Sequence, residues 1–167
     1  MYAKDIAQKI RNEIKALGYT AKRVSVRCTG CGYSDSIRIT IKDVTIPDKE
    51  IIKIADKYES IRYDEYTGEI LEGANLYIFV EYDYDVMSDA AKPYMKKAIE
   101  IFNNARNNTG DRTELIMEKN GKQLWYYGGC CGRNGQCFEA ENAYETMVHV
   151  RSVGDIAKAM MFFDAQH

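Results

Sequence analysis

Two strictly alternating segments within residues 22–42 constrain the fold more than any other feature of this sequence. The apolar positions of the two segments are Val24, Val26, Cys28, Ile37, Ile39 and Ile41. Successive side chains of a β-strand point to opposite faces, so each segment has one apolar and one polar face. The residues between them, 29–35, are rich in turn formers. The pattern therefore predicts a β-hairpin whose apolar face packs on helices.

The polar face of this predicted hairpin is basic. Its cations are Arg23, Arg27, Arg38 and Lys42, and neither strand adds a carboxylate to that face. We interpret these four residues as a candidate macromolecule-binding surface for phosphates or an acidic protein, with the choice between protein and nucleic acid undecided. The alternative is a solvated face that Glu81 and Asp83 of a neighbouring strand neutralise.

Length and charge limit the class of protein. The 167 residues, with 46% hydrophobic and 29% charged residues, are typical of a soluble globular domain. A formal net charge of −2 gives no whole-molecule attraction for nucleic acid or an anionic membrane, so such binding needs a local patch. No segment approaches the ~20 apolar residues of a membrane span, and the first residues lack the apolar core of a signal peptide. We expect a cytoplasmic protein with no membrane partner.

Periodicity predicts the remaining elements. Amphipathic helices are predicted at residues 3–17, 48–58 and 93–105 and after the capping box at Ser152, and further strands at 76–84, 114–117, 123–127 and 146–151. Asn120-Gly121 predicts a two-residue hairpin turn that places Lys119 opposite Lys122 and Ile116 opposite Trp125. The order α-β-β-α-β-α-β-β-β-α begins with a hairpin rather than a parallel crossover. It indicates an α+β fold with a largely antiparallel sheet packed on amphipathic helices.

The chain is predicted to form a single domain over residues 1–167. An asparagine-rich segment at residues 103–110 separates the helical pattern before it from a new β-rich segment after it. It therefore marks a boundary between two sub-lobes, 1–106 and 111–167.

The first half of the chain resembles a domain associated with the large polyvalent proteins of phages and conjugative elements. The motifs that carry the resemblance are Leu17-Gly18-Tyr19, Val24-Ser25-Val26-Arg27, Ser36-Ile37-Arg38-Ile39, Asp43, Lys57-Tyr58 and Tyr77-Ile78-Phe79. The family brings no catalytic or binding residues with it. The resemblance implies a context, that of accessory proteins that travel with mobile DNA and help it persist against host defences.

Five cysteines in a chain without an export signal favour reduced thiols or metal ligands over disulfides. If the hairpin tip meets the glycine-rich segment 128–137, Cys28, Cys31, Cys130 and Cys137 would supply the four thiolates of a tetrahedral zinc site. The spacing supports half of this site, because Cys130-Cys131 followed by Cys137 does not form a second C-x-x-C. The alternative is free cysteines, and no other cofactor is expected.

No enzyme signature is present in this sequence. A nucleophilic cysteine with His149 as its base is chemically feasible, and the glycine-rich segment 128–137 offers backbone N–H groups to an oxyanion. However, His149 fits one face of a predicted strand, and nothing in the pattern brings it near a thiol. The same segment lacks the Gly-Lys-Ser/Thr ending of a phosphate-binding loop.

The leading hypothesis is therefore a non-enzymatic accessory binding protein of a phage, plasmid or conjugative element. It would act through a sheet surface on a macromolecule of the host or of the mobile element. One form of this hypothesis is that it acts against host defence. The alternatives are a cysteine-dependent enzyme that uses the Gly/Cys-rich loop, and a zinc-stabilised nucleic-acid-binding module.

Overall fold

A computed structural model describes residues 3–30, 35–59, 62–63, 70–72, 76–106, 113–128, 136–141 and 149–166. The helices are α1 (Ala3–Ala16), α2 (Asp48–Asp56), α3 (Tyr84–Ala91), α4 (Met95–Arg106) and α5 (Val153–Ala165). The strands are β1 (Val24–Gly30), β2 (Asp35–Ile41), β3 (Arg62–Tyr63), β4 (Ile70–Glu72), β5 (Leu76–Tyr82), β6 (Thr113–Lys119), β7 (Lys122–Gly128), β8 (Gln136–Glu141) and β9 (His149–Val150). The predicted α+β class is confirmed, and the predicted order is matched except for the short strands β3 and β4, helix α3 and strand β8.

The chain divides into two compact units, Met1–Asp83 and Tyr84–His167, called here the first and the second unit. The predicted sub-lobes placed a boundary later, between residues 106 and 111. The boundary lies at residue 83 because α3 and α4 both pack on α5 and so belong with the second unit.

The first unit contains a three-stranded sheet with the order β1-β2-β5. The predicted hairpin is confirmed, since β1 and β2 pair antiparallel from Val24 opposite Ile41 to Gly30 opposite Asp35. Strand β5 pairs parallel to β2, which the largely antiparallel prediction did not anticipate. The reason is the connection between them, which contains α2 and returns the chain to the same end of the sheet, as parallel pairing requires.

One face of this sheet forms the core of the first unit with α1 and α2. The buried residues are Ile6, Ala7, Ile10, Ile14, Val24, Val26, Ile37, Ile39, Ile41, Ile46, Ile51, Ile54, Ala55 and Ile78. The predicted apolar stripe of α1 is confirmed except at Leu17, which is 50% exposed. Leu17 lies beyond the helix end, where Gly18 takes a φ of +88° that glycine adopts without steric cost.

The sequence predicts Asp48 as the N-cap of α2, and this prediction is wrong. Pro47, in an extended conformation, is the N-cap, and Asp48 lies inside the first turn, only 1% exposed. The Asp48 backbone N–H donates to the Tyr82 hydroxyl at 3.0 Å, and that hydroxyl donates to the Ile46 carbonyl at 2.7 Å. A side chain from β5 therefore satisfies one of the N–H groups that a helix start leaves without an intrahelical partner.

The second unit contains a four-stranded antiparallel sheet with the order β6-β7-β8-β9 and helices α3, α4 and α5. The predicted capping box is confirmed, because the Ser152 hydroxyl accepts from the Asp155 N–H and the Asp155 carboxylate accepts from the Ser152 N–H, both at 3.2 Å. Strand β8 was missed because its start overlaps the glycine-rich segment 128–137. The predicted last strand, 146–151, is described only from residue 149.

The apolar spacing of helix α4 predicts a buried face of Met95, Ala98, Ile99 and Phe102, and the structure confirms this only in part. Ala98 and Ala105 are buried, whereas Met95 and Ile99 are exposed. The prediction started the helix at Pro93, but Pro93 lies in a 3-10 turn, Lys92–Tyr94, that joins α3 to α4. The orientation of α4 is therefore set by the preceding helix and by α5, which it packs against.

The β6–β7 hairpin confirms the Asn-Gly turn. Asn120 and Gly121 have φ values of 53° and 73°, and Lys119 lies opposite Lys122 as predicted. Farther from the turn the predicted register is wrong, since Leu115 rather than Ile116 lies opposite Trp125. The pairing shifts between residues 115 and 117, and the extra residue of a β-bulge moves every later pair by one.

This hairpin turn caps the end of α5. The Lys122 ammonium donates to the carbonyl oxygens of Phe162, at 3.1 Å, and of Gln166. The side-chain amide of Asn120 donates to the Phe163 carbonyl at 2.8 Å. The Phe162 carbonyl also accepts from the Gln166 N–H at 3.1 Å. Since the last carbonyls of a helix lack the partners that a further turn would supply, the side chains of Lys122 and Asn120 add donors at this end.

A tyrosine contact within the second unit is expected to make the protein less stable at alkaline pH. The Tyr94 hydroxyl donates to the Asp164 carboxylate at 2.8 Å. Burial, together with this hydrogen bond, raises the pKa of the Tyr94 hydroxyl from 10.0 to about 12. Since the folded state holds the proton more tightly than the unfolded state, the contribution is complete below about pH 10 and is lost as the pH rises to about 12.

We expect Tyr94→Phe, which has no such proton, to remove this pH dependence. The difference in unfolding free energy between wild type and variant should be constant below pH 10 and should shrink between pH 10 and 12. Urea unfolding at several pH values measures it. Tyr84→Phe, at an exposed tyrosine of the same unit, is the control. A difference that stays constant up to pH 12 would contradict the expectation.

Candidate functional site

The face of the three-stranded sheet opposite its buried face carries two of the four predicted cations, Arg27 and Arg38. We call it the polar face. Its residues alternate with the buried ones along the three strands, and none of them is buried. They are Ser25, Arg27, Thr29, Ser36, Arg38, Thr40, Tyr77, Phe79 and Glu81.

The strand register aligns these residues in rows across the sheet. Arg27 of β1 lies opposite Arg38 of β2, and Arg38 lies opposite Phe79 of β5. Neighbouring strands are about 4.8 Å apart, so members of a row are side by side. The central row thus combines two guanidinium groups and one aromatic ring.

The aromatic residues of β5 form an exposed pair. The ring centroids of Tyr77 and Phe79 are 6.4 Å apart and the ring planes differ by 18°. Phe79 is 50% exposed, although it is a large apolar side chain. The two residues are separated by two positions along the strand, so both rings stand on the polar face.

The two arginines of the central row keep accessible charges. Arg38 pairs with Glu81 at 3.0 Å, but the two side chains are 54% and 45% exposed. An ion pair this exposed is worth only about 0–1 kcal/mol, so another anion can displace Glu81. Arg27 is exposed and has no ion pair within the described part of the chain. A phosphate or carboxylate can therefore reach both guanidinium groups.

Arg23, by contrast, is held by its own neighbours. Its Nε contacts an Asp43 carboxylate oxygen at 2.8 Å, and its guanidinium lies 5.3 Å from the centre of the Tyr19 ring. Burial raises the pKa of Asp43, but hydrogen bonds from Thr45 and Arg23 outweigh it and hold that pKa below 3.8. Asp43 is therefore a carboxylate at neutral pH and neutralises Arg23.

Lys42 follows the last residue of β2 and is half-buried. Its backbone N–H donates to the Arg23 carbonyl at 2.7 Å, which extends the β1–β2 pairing by one step. Of the four predicted cations, Arg27 and Arg38 therefore lie together in one row, while Arg23 and Lys42 lie just beyond the pair formed by Val24 and Ile41. The predicted neutralisation by Glu81 applies to Arg38. That the four residues bind a macromolecule stays a prediction.

The neighbours of these cations were not evident from the sequence. Alternation placed Tyr77 and Phe79 on one side of a strand, but it did not indicate which strand they would lie beside. Their position next to Arg38 depends on the parallel pairing of β5 with β2. The sequence did contain one signal for an exposed aromatic pair. Tyr77 and Phe79 are two positions apart, on the same side of the strand as the polar residues Glu81 and Asp83.

The predicted zinc and cysteine sites involve parts of the chain that are not described. Cys28 is half-buried in β1. Cys31, Cys130 and Cys131 lie outside the described residues, as do the side chains of Cys137 and His149. Among the described residues, no three or more Cys, His, Asp or Glu side chains are grouped as metal ligands. Both sites stay predictions.

Comparisons of the chain with protein-family models, with curated proteins and with solved structures found no match. Within the described ranges, no helix has both the length and the apolar character needed to cross a membrane.

Proposed function

We propose that this chain is a non-enzymatic binding protein that takes single-stranded nucleic acid on the polar face of its first unit. The observation that supports the proposal is the row of Arg27, Arg38 and Phe79, with Tyr77 beside it. Proteins that bind single strands combine aromatic rings, on which bases stack, with cations that contact the phosphates. The polar face has both.

The aromatic pair favours a single strand over a duplex. In a duplex each base is stacked between its neighbours and offers no face to a protein ring, whereas an unpaired base can stack on Phe79 or Tyr77. The guanidinium groups of Arg38 and Arg27 lie one and two strands away from Phe79. A backbone crossing the strands would place its phosphates next to them in turn.

The charge of the protein limits how strongly salt affects this binding. The net charge is −2, so attraction depends on the two arginines of the central row. Each phosphate neutralised on a single strand contributes about −0.7 to the slope of log K against log salt concentration. Two contacts give a slope of about −1.4, and stacking supplies the remaining affinity.

The biological context remains part of the proposal. The resemblance of the first half to domains of phage and conjugative-element proteins supports an accessory role in a mobile element. One form of this role is to act against host defence. Adjacent integrase, relaxase or anti-restriction genes would support this role. A consistent position within an operon of metabolic enzymes would contradict it.

We expect Phe79→Ala to weaken binding of a fluorescent oligothymidylate or oligouridylate by about tenfold, because stacking on one aromatic ring is worth about 1–3 kcal/mol. The double variant Arg27→Gln with Arg38→Gln should also weaken binding and should bring the salt slope close to zero. Fluorescence anisotropy at several salt concentrations measures both effects.

The control is Lys53→Gln, which removes one exposed positive charge from α2, a helix on the buried side of the sheet. It should leave binding nearly unchanged. Wild-type protein that binds neither oligonucleotide at low salt would overturn the proposal. Equal affinity of wild type, Phe79→Ala and the double variant would overturn the assignment to the polar face.

A further inference from the structure

Strand β1 forms one edge of the three-stranded sheet. In an antiparallel pair, every second residue directs its backbone N–H and C=O groups to the partner strand. Arg23 does so, since its carbonyl accepts from the Lys42 N–H. The backbone groups of Val24, Val26 and Cys28 therefore point away from β2. The Val24 N–H donates to the Thr20 carbonyl at 2.9 Å. The N–H groups of Val26 and Cys28 point to the side of β1 away from β2, where the described residues contain no further strand.

The Arg11 side chain of α1 is hydrogen-bonded to one backbone carbonyl on this edge. Its Nη2 and Nε donate to the Val26 carbonyl at 2.9 and 3.3 Å. In a wider sheet, the backbone N–H of the next strand would donate to that carbonyl. The guanidinium therefore stands where an additional strand would bond.

A groove runs along the same edge between β1 and α1. It consists of two adjoining cavities of about 530 and 550 Å³ that share Gln8, Arg11, Val26 and Arg27 in their linings. Together the linings follow β1 from Val24 to Thr29. Six residues of a strand span roughly 20 Å, so the groove matches a short extended segment in length.

The groove is positively charged although the protein as a whole is acidic. Its lining contains Lys4, Arg11, Lys15 and Arg27 and no aspartate or glutamate among the described residues. An occupant with negative charge is thus favoured.

We propose that this groove binds an acidic, extended peptide segment of a partner protein as an additional strand on β1. The N–H groups of Val26 and Cys28 donate to carbonyls of the peptide, and a peptide N–H replaces Arg11 at the Val26 carbonyl. The released guanidinium of Arg11, together with Lys15, pairs with carboxylates of the peptide. Strand addition of this kind takes its affinity from main-chain hydrogen bonds and its specificity from side chains.

A peptide fits this edge better than a second nucleic-acid segment does. The open side of β1 offers alternating backbone donors and acceptors at the spacing of a strand, which only another polypeptide backbone matches along its whole length. The groove shares Arg27 with the polar face. The inference uses neither Phe79 nor Arg38, so a variant of Phe79 tests the polar face separately.

The test uses an end-blocked, fluorescent peptide of about eight residues that alternates glutamate and valine, a length that covers the roughly 20 Å groove. A lysine–valine peptide of the same length is the control. We expect the glutamate peptide to raise the anisotropy at low salt and the lysine peptide not to do so. Hydrogen exchange followed by NMR should show slower exchange of the Val26 and Cys28 amides when the glutamate peptide is bound.

Two sets of variants separate the backbone from the charges. Cys28→Pro removes an outward N–H at a position that proline tolerates on an edge strand, and it should weaken binding about tenfold relative to Cys28→Ala. Arg11→Gln with Lys15→Gln should weaken binding about five- to tenfold, as expected for two exposed ion pairs, whereas Lys53→Gln should have no effect.

Absence of binding by the glutamate peptide at low salt would overturn the inference. So would binding that leaves the exchange of the Val26 and Cys28 amides unchanged, because the peptide would then be held by charge alone. If Cys28→Pro does not fold, the exchange measurement on the wild type decides. Phe79→Ala reports separately on the polar face, so one binding site can fail without the other.

Discussion

Replacing Ile39 with alanine is expected to lower the free energy of unfolding of the first unit by about 2–5 kcal/mol. Ile39 is fully buried on β2, the central strand of the sheet. It lies opposite Val26 on one side and Val80 on the other. Because neighbours on both sides are fixed by ladder hydrogen bonds, they cannot move in to fill the space that alanine leaves.

Urea unfolding followed by circular dichroism measures this loss. Ile39→Val, which removes a single methylene group, should cost about 0.5–1.5 kcal/mol. Comparing the two variants shows how the cost grows with the size of the cavity that the substitution leaves. Thr40→Ala, one residue along on the polar face, should cost clearly less than Ile39→Ala. A loss below about 1 kcal/mol for Ile39→Ala would mean that this position is not tightly packed.

Replacing Lys122 with methionine should destabilise the second unit by about 2–4 kcal/mol. The ammonium group donates to two carbonyls at the end of α5, those of Phe162 and Gln166. Hydrogen bonds to a charged group contribute about 1.5–3 kcal/mol each, and methionine leaves both carbonyls without this donor. Part of the loss is offset because a buried charge is also removed.

Lys119→Met is the matched control, since Lys119 lies opposite Lys122 across the same turn. Its ion pair with Asp164, at 2.5 Å, involves a lysine side chain that is 51% exposed. We expect that variant to lose only about 0–1 kcal/mol. Thermal unfolding of both variants measures the difference, and equal losses would contradict a capping role for Lys122.

The features that the sequence predicted correctly depend on residues close together in the chain. The β1–β2 hairpin, the capping box at Ser152 and the Asn120-Gly121 turn each follow from side-chain alternation or backbone preference over a few residues. Helix α1 follows from its apolar stripe in the same way. Tertiary contacts do not need to be known for any of these.

Three of the features that were missed have no signal in the local sequence. The bulge at Ile116 changes the register without any unusual residue to announce it. The parallel pairing of β5 is decided by where the chain returns after α2. The Asp48 N–H, at the start of α2, donates to the hydroxyl of Tyr82, 34 residues away. No local pattern contains that information.

The same division applies to the candidate sites. Alternation alone placed Arg27 and Arg38 on one face. Alternation along β5 also placed Glu81 near this face, where it pairs with Arg38, 43 residues away. Asp43, which lies 20 residues from Arg23, was not identified as the group that neutralises it. The groove also needed tertiary structure, because it exists only where α1 lies beside β1.

The open edge of β1 also affects how copies of this protein behave toward one another. An unpaired edge strand can join that of a second molecule and begin a fibril. If two β1 edges paired at the usual spacing of about 4.8 Å, the cations Arg11 and Arg27 of each copy would be brought close to those of the other. Like charges placed opposite each other across a strand pair are destabilising. The positive charge therefore disfavours the pairing of two copies of this protein through their β1 edges.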